Sequence, residues 1–209
     1  MKILICDDHK IVRDGLRQIL NQLEDISLIG EAASGSEALE ILKDISFHIL
    51  LLDITMPGMS GLEVLEIVKE KHPLTHVLML SMHPQDQYAL RALKLGASGY
   101  LTKDTASEEL LLAVRKVMKD GKYISEALAD SIAQKFDNDN NLQKHELLSA
   151  REFNVMIKLA EGRSLPEISS EFFISKNAVS TYRARVLKKM NLTTNNELTK
   201  YCIENKLIL

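Results

Sequence analysis

The sequence predicts two folds in tandem. The first is a doubly wound α/β domain with a five-stranded parallel sheet, and the second is an all-α domain of four helices. Three observations carry this reading. Five short β-like runs alternate with stretches of helical spacing over the first 120 residues. After residue 147 no β-like run recurs, and apolar residues fall at helical intervals. The charge also divides: residues 1–148 carry −7 and residues 149–209 carry +4, within a total of −3. An acidic front and a basic tail suggest two parts with different partners.

The chain has 209 residues, 45% hydrophobic and 26% charged, an ordinary soluble composition that leaves room for two small domains. No apolar run approaches the ~20 residues of a membrane span. The N-terminus, "MKILICDDHK", reaches acid within seven residues, so we expect a fold-forming strand rather than a signal peptide. The two cysteines, Cys6 and Cys202, lie far apart and lack metal-ligand spacing. A reduced, cytoplasmic protein is expected.

The strand candidates are "KILIC" (2–6), "ISLIGEA" (26–32), "HILLLD" (48–53), "HVLMLS" (76–81) and "SGYLT" (98–102). Apolar stripes between and after them predict five helices. Ile11, Leu16, Ile19, Leu20 and Leu23 form the first, and Ala38, Leu39 and Leu42 the second, after Ser34-Gly35-Ser36. Leu62, Leu65 and Val68 form the third, Tyr88, Ala89, Ala92 and Leu93 the fourth, and Leu110, Leu111, Val114 and Val117 the fifth. The third strand is apolar at nearly every position, as a central strand buried on both faces requires.

In such folds ligands sit outside the C-terminal ends of the strands. Asp7 and Asp8 end the first strand, Asp53 the third and Ser81 the fourth, while Thr102 and Lys103 end the fifth. Taken singly, each could be a helix cap or a turn residue. Together they place three carboxylates, a hydroxyl and an amine on one edge. Clustered carboxylates repel one another and call for a cation. Oxygen donors without His or Cys favour Mg2+, which shares its shell with phosphate. The set suits phosphoryl transfer onto a carboxylate, with the metal and Lys103 neutralising phosphoryl oxygens.

Residues 1 to about 120 resemble the receiver domain of bacterial two-component response regulators. The resemblance rests on Asp7-Asp8, "LLLDITMPGMSGLEVL", Ser81 before an Ala- and Leu-rich helix, and "LGASGYLTK". It implies a flavodoxin-like fold with Asp53 as phospho-acceptor. It also implies Mg2+ held by Asp8, Asp53 and the Thr55 carbonyl, with Asp7 acting mostly through water. Ser81 and Lys103 would contact the phosphoryl oxygens, and Tyr100 would be the switch aromatic. Asp104 follows Lys103 where many receivers have a proline, so no cis peptide is expected. Pro57, Gly58 and Gly61 shape the loop beside the site.

A joint is expected over residues 121–146. "ISEALADSIAQKF" (124–136) can form a helix, and "DNDNNLQKHE" (137–146) is polar and turn-prone. The domains are then 1–120, the joint, and 147–209.

In the second domain, Ser149 and Glu152 form a capping-box pattern at the head of "LSAREFNVMIKLAEG". "SLPEISSEFF" is a short helix with Pro166 in its first turn. A helix capped by Ser175 follows, with Ala178, Val179, Tyr182, Val186, Leu187 and Met190 on its apolar face. "NNELTKYCIENKLI" makes a last helix. A short helix, a tight turn and a helix with a basic face describe a helix-turn-helix. The alternative, a solvated helix of a small bundle, lacks a reason for that order.

Residues 147 to 209 resemble the DNA-binding domain of the LuxR/FixJ/NarL type, through "LSARE", "LAEGRSLPEIS", "FFISKNAVSTYRARVLKKMNL" and "NELTKYCIENKLI". By position, Lys176, Asn177, Ser180 and Thr181 would read bases. Tyr182, Arg183, Arg185 and Lys189 would contact or approach phosphate, and Lys188 adds to the same basic face. Tyr182 stands where many members have His.

The joint resemblance implies a cytoplasmic transcription regulator. A sensor histidine kinase would phosphorylate Asp53, and a phosphorylated homodimer would bind double-stranded promoter DNA. A Mg2+-dependent phosphotransferase or phosphatase would share the carboxylates but needs a substrate pocket or lid that these short loops do not offer. The chain is therefore not expected to be an enzyme. A regulator that binds DNA without phosphorylation is the other alternative, and the complete set of site residues argues against it.

Overall fold

The computed structural model describes residues 1–82, 85–130, 143–205, 207 and 208, with backbone alone at 85–87. It divides into two compact units, Met1–Asp137 and Asn138–Leu209. The first unit alternates β1 (Lys2–Cys6), α1 (Lys10–Leu20), β2 (Leu28–Ala32), α2 (Gly35–Asp44), β3 (Ile49–Asp53), α3 (Gly61–Lys71), β4 (His76–Ser81), α4 (Gln85–Lys94), β5 (Gly99–Thr102) and α5 (Ala106–Asp120). The strands are parallel, in the order β2-β1-β3-β4-β5.

Every residue of β3 is buried, as its unbroken apolar run requires. β2 is an edge strand and correspondingly only part-buried. One core layer joins Ile3, Ile5, Ile49, Leu51, Leu78 and Leu80 of the sheet to Leu16 and Leu20 of α1 and Leu110, Ala113, Val114 and Val117 of α5. Period-2 alternation sends the intervening strand residues to the other layer. Ser34 caps α2, and Ser60 with Glu63 forms a reciprocal capping box on α3.

After α5, Gly121 takes the left-handed conformation (φ 78°) that ends helices. Tyr123 then bridges to Gly99 on the outer edge of β5. Residues 126–130, within the helix expected over 124–136, are helical. The remainder of that expected helix, and the polar stretch to residue 142, lie outside the described residues.

The second unit opens with a 3-10 turn, Lys144–Leu147, where the sequence reads as polar joint. His145 accounts for the difference. Its Nδ1 hydrogen-bonds the Tyr201 hydroxyl at 2.9 Å, and its ring packs 6.0 Å from that of Phe153. Four helices follow: α6 (Ala150–Ala160), α7 (Leu165–Glu171), α8 (Lys176–Met190) and α9 (Asn195–Glu204). Serine or threonine caps each of them: Ser149, Ser164, Ser175 and Thr194. All but α8 carry the full capping box. Phe153, Met156, Ile168, Val179, Val186, Met190, Leu198 and Cys202 close the core.

Candidate functional site

Parallel pairing sets the C-terminal ends of β1, β3, β4 and β5 side by side. Cys6 pairs with Leu52, Asp53 with Leu80, and Ser81 with Thr102. The residues just past those ends therefore converge. Asp53 is 2% exposed and Asp7 is fully buried. Lys103 Nζ lies 2.7 Å from Asp7 Oδ2 and 3.0 Å from Asp53 Oδ2. The Asp7 contact is an ion pair by distance, without the angles of a hydrogen bond. The Lys103 amide donates to the Ser81 carbonyl at 2.8 Å, and the Thr55 amide to Asp53 Oδ1 at 3.3 Å. Thr55 itself is exposed. Ser81 and Tyr100 are fully buried, and no cis peptide occurs among the described residues, at Lys103-Asp104 included.

Burial raises the Asp53 carboxyl from the ordinary 3.8 to about 6. Lys103 opposes the rise, and Asp7 adds to it. Burial pulls the Lys103 ammonium down, but its contacts with Asp7 and Asp53 outweigh this and hold it above the ordinary lysine value. Beneath the carboxylates, the Cys6 thiol donates to Met56 Sδ at 3.5 Å. Burial, then Asp53 and Asp7, push that thiol up, so it stays protonated and inert.

The donor set fits a divalent cation. One donor atom from each of Asp7, Asp8, His9 and Asp53 lies within 4.8 Å of the others. Lys103 supplies one positive charge against three carboxylates. Asp8 Oδ1 is shielded from solvent and accepts no hydrogen bond, a costly arrangement for a carboxylate oxygen unless an ion takes it up. The His9 ring nitrogen lies beside this cluster, 3.0 Å from Asp8 Oδ1.

Two arginines escape sequence reading. Arg13 Nη1 donates to the Asp7 carbonyl at 2.7 Å, and Arg13 Nε reaches Glu31 Oε2 at 3.2 Å. Arg17 joins the same Glu31 at 2.7 Å. The four-residue spacing of the two arginines on α1 was the available signal. Gly61, expected to shape the loop beside the site, is also held by close packing: a Cβ there would stand 2.0 Å from the Asp53 carbonyl oxygen. The first turn of α3 thus lies directly against the backbone of Asp53. The Gly61 amide also donates to the Ile54 carbonyl at 2.9 Å.

In the second unit, α7, a turn and α8 form the helix-turn-helix. Phe173 in that turn holds φ 51°, and Asn191 ends α8 at φ 53°. Lys176, Asn177, Ser180, Thr181, Arg185, Lys188 and Lys189 are exposed on α8, while Tyr182 and Arg183 are half-buried. Thr181 Oγ1 donates to the Asn177 carbonyl at 2.9 Å. Arg183 Nε donates to Asn195 Oδ1 at 2.7 Å, and the Arg185 guanidinium lies 6.0 Å from the Tyr182 ring centre. Lys189 Nζ donates to Glu152 Oε2 at 2.6 Å, and Glu152 is 3% exposed. Lys189 is therefore tied into the helical core as well as lying on the basic face.

Comparison with known proteins agrees with both halves. The family model described as "Response regulator receiver domain" matches residues 3–115. That described as "Bacterial regulatory proteins, luxR family" matches residues 146–202. The oxygen regulatory protein NreC of Staphylococcus epidermidis is 34% identical over 216 aligned positions, covering 100% of this chain and 99% of that protein. NreC of Staphylococcus aureus is 34% identical over 215 positions, with the same coverage. Among solved structures, RcsB of Salmonella enterica serovar Typhimurium, bound to a promoter with the phosphomimetic BeF3-, is 25% identical. It superposes with a TM-score of 0.69 over 96% of this chain and 97% of that one. Another RcsB structure, from Salmonella typhimurium, shares the fold at 24% identity, with a TM-score of 0.72 over 100% and 98% of the two chains. No described helix is long and apolar enough to cross a membrane. The chain belongs to the NarL-type response regulators, which join a receiver domain to a LuxR-family helix-turn-helix.

Proposed function

We propose that residues 1–120 accept a phosphoryl group on Asp53 from a sensor histidine kinase, and that residues 147–209 bind promoter DNA under that control. The carrying observation is Asp53 itself, a nearly buried carboxylate with Lys103 Nζ at 3.0 Å and Asp7 and Asp8 beside it. A structural cap needs none of these neighbours. In the transfer, an Asp53 carboxylate oxygen attacks phosphorus. The new O–P bond forms as the bond from phosphorus to the donor's histidine nitrogen breaks, and that nitrogen keeps the electron pair. Lys103, already aimed at Asp53, pairs with the arriving phosphoryl oxygens.

Asp8, Asp53 and the Thr55 carbonyl would hold Mg2+, with Asp7 acting through water. Bound there, Mg2+ neutralises charge on the transferred group. Ser81 and Tyr100, on adjoining strands, would register the phosphoryl group and reshape the β4–β5 face. On the DNA side, Lys176, Asn177, Ser180 and Thr181 lie in the first half of α8, where side chains reach base edges. Tyr182, Arg183, Arg185, Lys188 and Lys189 would meet the phosphates. A phosphorylated homodimer would read two half-sites in the cytoplasm. The role is regulatory rather than enzymatic, since Asp53 is the acceptor and no turnover of a further substrate is required.

Labelling by a small radioactive acyl phosphate tests the acceptor. Wild type should take up label only with Mg2+, and Asp53→Asn should take up none. Undiminished labelling of Asp53→Asn would overturn the assignment.

A further inference from the structure

We propose that Arg13 is a positioning residue for phosphoryl acceptance on Asp53, acting through the backbone of Asp7 and held in place by Glu31. This rests on the acceptor reading of the preceding section and adds to it a residue outside the carboxylate cluster. The loop that carries the acid pair is gripped at Asp7. The Asp7 amide donates to the Ala32 carbonyl at 3.2 Å, and Asp7 Oδ1 accepts from the His9 amide at 2.8 Å. The Asp7 carbonyl accepts from Arg13 Nη1 at 2.7 Å. The first bond continues the strand pairing, and the second closes a local turn. The third is of another kind, because a charged side chain returns from the first turn of α1 to hold a main-chain oxygen. That oxygen belongs to the planar peptide joining Asp7 to Asp8. Fixing it sets the direction in which the Asp8 carboxylate leaves the chain, and so its approach to Asp53.

The Arg13 side chain is only 12% exposed. A guanidinium so shielded is costly unless its charge is matched. Glu31 of β2 matches it, accepting from Arg13 Nε at 3.2 Å on Oε2 and from Arg17 Nε at 2.7 Å on Oε1. The strand register sets Glu31 opposite Ile5, so it lies just behind the loop it helps to hold. Charge balance alone needs one arginine on Glu31, and the more exposed Arg17 already supplies it. The second, buried arginine is explained when Glu31 is the anchor that orients it. One planar fork then spans two acceptors, Glu31 and the Asp7 carbonyl, which a single ammonium group does poorly. The rival role for Arg13 is a plain brace between α1 and β2. A brace affects stability but leaves the chemistry at Asp53 unchanged in molecules that are folded.

Full-length Arg13→Met, Arg13→Lys and Glu31→Gln would be compared with wild type, each well below its melting transition. Two quantities would be read. One is the affinity for Mn2+ as a probe ion, from the electron spin resonance of the free ion. The other is the rate constant of labelling by acyl phosphate at saturating Mg2+. Arg13→Met should weaken ion binding and slow labelling, each by about tenfold or more. Arg13→Lys should recover only part of the loss. Glu31→Gln keeps Arg13 but loosens its anchor, and should fall between wild type and Arg13→Met. Wild-type ion affinity and labelling in Arg13→Met, at whatever melting temperature, would overturn the positioning role and leave the acceptor site standing. Should Arg13→Met fail to fold, wild-type values in both Arg13→Lys and Glu31→Gln would overturn it equally. Labelling that persists undiminished in Asp53→Asn would overturn this proposal and the acceptor reading together.

Discussion

Replacing Asp53 by Asn should stabilise the cation-free protein, and the gain should depend on pH. Asp53 titrates at about 6 in the fold against an ordinary 3.8, chiefly because it is buried. A carboxyl whose folded value is raised contributes its full stability below the unfolded value and loses it as pH rises through the folded one. Wild type is therefore penalised progressively between about pH 4 and pH 6. At roughly 1.4 kcal/mol per pH unit, the rise amounts to about 3 kcal/mol. The amide of Asn carries no such penalty, and Lys103 keeps its pairing with Asp7 at 2.7 Å, so no charge is orphaned. In a chelator-treated sample, the first-unit melting transition of Asp53→Asn should match wild type near pH 4. Above pH 6 it should lie higher, by up to about 10 °C for a domain of this size. Saturating Mg2+ should narrow the gap by stabilising wild type. A pH-independent difference, or an Asn variant less stable at pH 8, would refute the claim that Asp53 is held at an electrostatic cost.

Four other outcomes follow from single residues. Gly61→Ala would drive a methyl to 2.0 Å from the Asp53 carbonyl. The strand end must shift, so labelling should fall sharply and urea unfolding should show a loss of about 1–3 kcal/mol. Lys189→Ala removes the partner of buried Glu152 and should cost the second unit about 1–2 kcal/mol, visible in its melting transition as well as in DNA affinity. Lys188→Ala should leave that transition in place, weaken binding to all DNA sequences alike and lower the salt slope by about 1. Ser149→Ala breaks the capping box at the head of α6 and should cost about 1 kcal/mol by the same melting assay.

Much of this was legible in the sequence because the relevant physics is local. The apolar run 49–52 announced a doubly buried strand, and Asp53 at its end announced a site, since parallel sheets expose function at that edge. Ser34, Ser149 and Ser175 marked helix starts through side-chain geometry that spans only three residues. What stayed hidden depends on tertiary neighbours. A helical wheel places Lys189 on the basic face, yet cannot reveal that the fold brings Glu152, 37 residues earlier, within 2.6 Å. His9 reads as the residue before a helix, and only the folded loop turns its ring to Asp8. Gly61 reads as a loop glycine, while its need follows from how closely α3 abuts Asp53. Residues 144–147 look like polar joint because the attachment of His145 to Tyr201 crosses 56 positions of sequence.

The central claim is that the state of Asp53 governs DNA binding by α8. Its most direct test is recovery of genomic DNA fragments by the purified full-length protein, with and without Mg2+ and beryllofluoride. Recovery should become stronger and sequence-selective with the mimic, and Asp53→Asn should show no such gain. Equal, selective recovery in both states would contradict the account, by showing DNA recognition that ignores the acceptor.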